Sequence, residues 1–99
     1  FAEGGADVAA VMKTLGSRMK LWHINDRGTR LAPAGKAMTP ILKTDSMELG
    51  TGNLPLEAWA AIAKANGVGA VVLESHRNWV DNDPVQSARL SARWLQANL

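Results

Sequence analysis

Two short apolar runs constrain this chain more than anything else in it, because each ends abruptly in polar residues and each is followed by a loop and then a helical pattern. The first is Lys20-Leu21-Trp22-His23-Ile24-Asn25-Asp26, and the second is Ala70-Val71-Val72-Leu73-Glu74-Ser75-His76. Both read as β-strands. Side chains alternate faces along a strand, so Leu21, His23 and Asn25 share one face while Trp22 and Ile24 share the other. The second strand, over residues 68–74, has no polar side chain before Glu74, the pattern of a parallel strand buried on both faces.

Helical patterns surround the strands. Asp7 is placed to cap a helix whose stripe is Val8, Val11, Met12 and Leu15 and which Gly16 ends. Pro55 sits at a first helical position, Leu56, Trp59, Ile62 and Ala63 form the apolar stripe, and Asn66-Gly67 ends that helix. Asp83-Pro84 opens the last helix, with Val85, Ala88, Ala92, Leu95 and Leu99 expected inside and Arg89, Arg93 and Gln96 outside. Residues 27–48 read as a long irregular segment containing Gly28, Pro33, Gly35 and Pro40 and the basic residues Arg27, Arg30, Lys36 and Lys43. Met38, Ile41, Leu42 and Met47 suggest that part of it packs down. A loop this long is expected to be a substrate lid or a solvated connection. The two glycines of the turn Glu48-Leu49-Gly50-Thr51-Gly52-Asn53 have a spacing that could let backbone N–H groups approach an anion, but as a phosphate-loop signal this is weak, since no Walker-type lysine follows.

The order helix, strand, loop, helix, strand, helix implies parallel pairing with right-handed crossovers. Two βα units are too few to close a barrel, which needs about 250 residues. The expected fold is therefore α/β, the last two βα units, about a quarter, of a (β/α)8 TIM barrel, with the whole of 1–99 as one C-terminal piece. Barrel chemistry lies at the C-terminal ends of strands, where His23 and Glu74 fall.

These segments resemble the sugar phosphate isomerase/epimerase family, the xylose-isomerase-like TIM barrels. The family pattern (K)L-x-H-x-K-D is similar to residues 20–26, E-L-G-x-G-x-(L/I) to residues 48–54, V-V-x-E to residues 71–74, and D-P-x-x-S-A to residues 83–88. The resemblance covers nearly the whole chain in order. It implies a divalent metal (Mn, Mg, Co or Zn) held by four side chains at the barrel mouth, two of which are His23 and Glu74 here, while the other two precede Phe1. It also implies that Glu74 is catalytic, moving a proton on the carbon next to a sugar carbonyl while the metal stabilises the enediolate. The substrate is then a small sugar or sugar phosphate, and Asn25, His76 and Arg77 are its candidate contacts. Asp26 either caps the loop or orients His23 from behind, and Glu48 is expected to anchor a loop by hydrogen bonding rather than to catalyse.

The family often has lysine where this chain has Asn25. Apurinic-site endonucleases carry H-x-N-D at this strand, so a metal phosphodiesterase is the less favoured alternative. Their D-x-H ligand pattern would fall on Thr44 and Ser46, which cannot supply those ligands. The charge balance also disfavours nucleic acid, since 11 basic and 9 acidic residues leave a net charge of only +2 with no run of like charge. No stretch approaches the ~20 apolar residues of a membrane span. The chain has no cysteine, which fits a reducing compartment, so a cytoplasmic location is expected. A quarter barrel leaves strand edges unpaired and a strand face uncovered, so its partner is the rest of a barrel or another copy of itself. The 99-residue chain taken alone is therefore expected to self-associate and to lack isomerase activity; intact mass set against the mass of the particle in solution checks this.

Overall fold

A computed structural model describes residues 1–29 and 45–99. The first helix, α1, covers Val8–Leu15; the Asp7 carboxylate accepts the Ala10 N–H at 3.0 Å, and Gly16 stops the helix with φ 52°. A 3-10 turn over Gly16–Arg18 leads into strand β1, Leu21–Ile24. Helix α2 covers Leu56–Asn66 with Pro55 as its cap, and Gly67 ends it at φ 71° with its N–H bonded to the Ala63 and Lys64 carbonyls. The Asn66 side-chain amide donates to the Met12 carbonyl at 2.8 Å, tying the end of α2 to α1.

Strand β4, Ala70–Leu73, pairs in parallel with β1 in the register Leu21↔Ala70, Trp22↔Val71, His23↔Val72 and Ile24↔Leu73. Trp22 and Ile24 point into a core shared with Met12, Met19, Leu49, Leu56, Ala60 and Ala63, with Val71 and Leu73 packed against it. The opposite face is open, with Leu21 54% and Val72 43% exposed. The expectation that β4 would be buried on both faces is thus corrected. Helices cover one side of this pair, and within the described residues β1 is the only strand bonded to β4.

The segment expected to be irregular contains a second strand pair. Strands β2 (Asp26–Gly28) and β3 (Asp45–Met47) pair antiparallel, with Asp26 opposite Met47 and Gly28 opposite Asp45. Neither has the alternating apolar pattern of a strand, so tertiary contacts must set the pairing. The principal contact is the fully buried Asp26 carboxylate. One oxygen accepts the Arg27 N–H at 2.8 Å and the Leu54 N–H at 3.3 Å; the other accepts the Gly50 and Gly52 N–H groups, each at 2.9 Å. A β-carbon on Gly52 would collide with this carboxylate and with the Arg27 carbonyl. Gly50, at φ +82°, leaves no room for one against the Trp94 indole. The expected packing of Met38, Ile41 and Leu42, the turn residues Pro33, Gly35 and Pro40, and Arg30, Lys36, Lys43 and Thr44 all lie outside the described residues.

Helix α3, Pro84–Asn98, starts as expected, with the Asp83 carboxylate accepting the Val85 and Gln86 N–H groups. Its inner face differs from the apolar stripe read in the sequence. Ser87 and Ser91 are buried, Trp94 and Leu95 pack on the core, Val85 is 56% exposed, and Ala88 and Ala92 are exposed. Leu99 is also exposed. The cause is polar: Ser87 donates its hydroxyl hydrogen to the buried Glu48 carboxylate at 2.6 Å, and Ser91 Oγ accepts the Leu49 N–H at 3.2 Å. Turning the helix to bury Val85 and Ala92 would strip Glu48 and Leu49 of these partners.

The architecture is mixed α/β with a small parallel two-stranded sheet flanked by helices. Among the described residues no helix is long and apolar enough to cross a membrane. The Asp26→Ala variant should lose at least about 3 kcal/mol of folding free energy, since it leaves several buried N–H donors without an acceptor. Urea unfolding measures this, and Asp26→Asn, which keeps one acceptor oxygen, should lose less.

Candidate functional site

Parallel pairing brings the C-terminal ends of β1 and β4 to the same end of the sheet, and the Glu74 N–H extends the pairing by bonding the Ile24 carbonyl at 3.0 Å. His23 lies on the open face opposite Val72, and Glu74, two residues on, lies on that same face. Their side chains meet there, with His23 Nε2 3.2 Å from Glu74 Oε2. The other carboxylate oxygen is 2.6 Å from His76 Nε2, so Glu74 bridges two imidazoles. All three side chains reach solvent, at 53% exposure for His23, 37% for Glu74 and 66% for His76.

An open cleft of about 350 Å³ adjoins the pair. His23, Asn25, Arg27 and Glu74 line it with polar groups, and Ala2, Glu3 and Leu54 close its sides. Arg27 Nε donates to Glu3 Oε1 at 2.8 Å, holding the N-terminal segment against the strand. A hollow of similar volume beneath α1 shares His23 and Asn25 but is walled mainly by Val11, Met12, Trp22 and Trp59. Its apolar lining suits side-chain packing better than a polyhydroxylated ligand.

The remaining expected site residues have structural partners. Arg77 forms a two-oxygen ion pair with Asp45 at 2.9 and 3.0 Å, which fastens the chain after β4 to β3. Beside it the Asn78 amide donates to the Ser46 carbonyl at 2.9 Å, with Asn78 itself at φ 64°. Neither His76 nor Arg77 lines the cleft, whereas Asn25 does. Of the two roles open to Asp26, the structure displays loop capping, with its carboxylate on the N–H groups of Arg27, Gly50, Gly52 and Leu54. The glycine turn does approach an anion, and that anion is Asp26. Glu48, 4% exposed, accepts from Ser87 and from the Val80 N–H at 3.3 Å.

Sequence reasoning missed Ser87, Ser91, Glu3 and Asp45 as organising residues. A serine pair four residues apart on one helix face is a signal for the first two, because both hydroxyls can then meet one polar neighbour. Asp45 and Glu3 gave none, since their partners lie far off in sequence.

Burial alone would raise the Asp45 carboxyl pKa. The Arg77 hydrogen bonds, the Ser46 N–H and the Arg77 and Arg27 charges outweigh it and hold the carboxyl below its ordinary value.

Among the described residues, no group of three or more His, Asp or Glu side chains is arranged to hold a metal ion. No family model, curated protein or solved structure matches this sequence.

Because the Asp45 pKa is lowered on folding, the Arg77–Asp45 pair should contribute its full stabilisation above the ordinary carboxylate range and lose it as pH falls through the lowered value. Arg77 is 71% exposed, so the contribution should not exceed about 1 kcal/mol. The stability gap between the unaltered chain and Arg77→Ala, measured by urea unfolding, should be present at neutral pH, narrow as pH falls through the ordinary carboxylate range and close only below the lowered Asp45 value.

Proposed function

We propose that this chain forms the last two βα units of a (β/α)8 barrel of the sugar phosphate isomerase/epimerase kind, and that His23 and Glu74 are two ligands of its divalent metal. The observation that carries this reading is the 3.2 Å approach of an imidazole nitrogen to a carboxylate oxygen at the C-terminal ends of neighbouring parallel strands. That is the end of a barrel where chemistry is found. The open face bearing Leu21 and Val72 supports it further, because in a closed barrel this face would meet the other strands. The same exposed face favours a partner for the chain, either further strands or a second copy.

The residues present fit a hard or borderline cation, since one neutral nitrogen and one charged oxygen, both reachable from solvent, form a mixed donor pair suited to Mn, Mg, Co or Zn. When bound, the metal polarises the oxygens of a sugar. Glu74 supplies the carboxylate that takes a proton from the carbon beside the carbonyl and returns it. Asn25, with both a donor and an acceptor, orients a hydroxyl in the adjoining cleft, whose volume of about 350 Å³ suits a small sugar.

Calorimetric titration with Mn²⁺ tests the metal reading. The unaltered chain should bind one ion weakly, and His23→Ala and Glu74→Gln should each abolish binding. In a longer protein carrying the strands placed before Phe1, binding should be tight. Sugars incubated with that protein in D2O should gain deuterium beside the carbonyl, and Glu74→Gln should prevent it. Binding indifferent to both substitutions would sink the reading.

A further inference from the structure

His76 reads from sequence as a substrate contact, yet its geometry gives it a different task. We infer that His76 is a positioning residue, holding one oxygen of the Glu74 carboxylate so that the other stays turned toward His23. The inference rests on the reading of His23 and Glu74 as metal ligands and deepens it.

Three observations carry it. First, the two imidazoles divide the carboxylate between them, His76 on Oε1 and His23 on Oε2. Second, the contacts differ in length. An ionised carboxylate only accepts, so at 2.6 Å His76 donates through Nε2–H in a short, charge-assisted hydrogen bond. The 3.2 Å approach of His23 is looser, as suits a nitrogen that must give up such a contact to bind a cation. Third, His76 stands on an anchored base. Arg77 is clamped to Asp45, Asn78 is bonded to the Ser46 carbonyl, and the Val80 N–H is held by Ser87 Oγ at 2.9 Å. The chain after β4 is therefore fastened at three successive points, and the imidazole it carries can fix a neighbouring carboxylate. A residue kept for substrate would need its polar edge on the cleft, which His76 does not line.

Without His76, Glu74 would keep only the looser His23 contact, and each productive encounter with a cation would first have to order its carboxylate. Partners of this kind behind a ligand typically change metal affinity by about 10–100-fold. His76 does not itself coordinate in this scheme, so the number and type of ligands should survive its removal.

The test is a Co²⁺ titration of the 99-residue chain followed by its visible absorption bands, with folding checked by circular dichroism. His76→Ala should weaken Co²⁺ binding by roughly tenfold or more while leaving band positions and intensities at saturation unchanged. His76→Gln, which restores a donor, should recover most of the affinity. Long-range ¹H–¹⁵N spectra should show the proton on His76 Nε2, and that signal should move in Glu74→Gln. An affinity indifferent to His76→Ala would overturn the inference, and so would altered band intensities, which would make His76 a ligand. If the unaltered chain takes up no Co²⁺ while the ¹⁵N spectra still show the His76–Glu74 bond, the metal reading fails, and the positioning role falls with it. If Co²⁺ uptake depends on His23 but not on His76, only the positioning role fails.

Discussion

The structure turns on a buried negative charge. Asp26 is inaccessible to solvent, and placing an ionised carboxylate there without partners would cost far more than a domain of this size can spare. It is tolerable because the N–H groups of Arg27, Gly50, Gly52 and Leu54 converge on its two oxygens. Those donors belong to the strand after β1 and to the turn before α2. One side chain therefore fixes where the chain leaves the parallel sheet and where it re-enters the helical layer. Gly52 admits the backbone to this distance, and the lack of a β-carbon at Gly50 lets Trp94 of α3 close over the turn.

Glu48 repeats the device on a smaller scale. Its carboxylate takes the Ser87 hydroxyl and the Val80 N–H, so α3 is docked through hydroxyls rather than through its alanines. The two internal carboxylates are thus committed to backbone and hydroxyl donors. Glu74 differs in environment: it stands on the open face of the sheet, its neighbours are imidazoles, and it is accessible to a small ligand. Three acidic residues of similar chemistry acquire separate tasks because of which side of a strand or turn they occupy.

The core sets the candidate site on the open face of the sheet. Trp22 and Ile24 point down into the apolar cluster, so His23 between them must point out, and the core that holds β1 in register also aims the imidazole. The segment after β4 is fastened to β3 by Arg77 and Asn78, and β3 is in turn paired with the strand that begins at Asp26. Glu74 is therefore held by its strand on one side and by a braced loop on the other.

Much of this was legible from short-range pattern. The caps at Asp7 and Asp83, the stops at Gly16 and Gly67, the two apolar strands and the outward aspect of His23 follow from local stereochemistry and from alternation, which need only a few neighbouring residues, and the parallel pairing follows from the order of the elements. The meeting of His23 and Glu74 was foreseeable from their places at strand ends. The second strand pair, the serine face of α3, the acceptor role of Asp26 in the glycine turn and the partners of His76 and Arg77 were not. Their sequences carry no strand or apolar signal, and each depends on a buried or braced polar group finding donors tens of residues away. The sequence by itself determined where elements begin, where they stop and which side chains share a face, because those are properties of a few adjacent dihedrals. Only the tertiary structure decided that Asp26 and Glu48 are spent inside while Glu74 stays open to solvent, because that depends on where the polar partners come together.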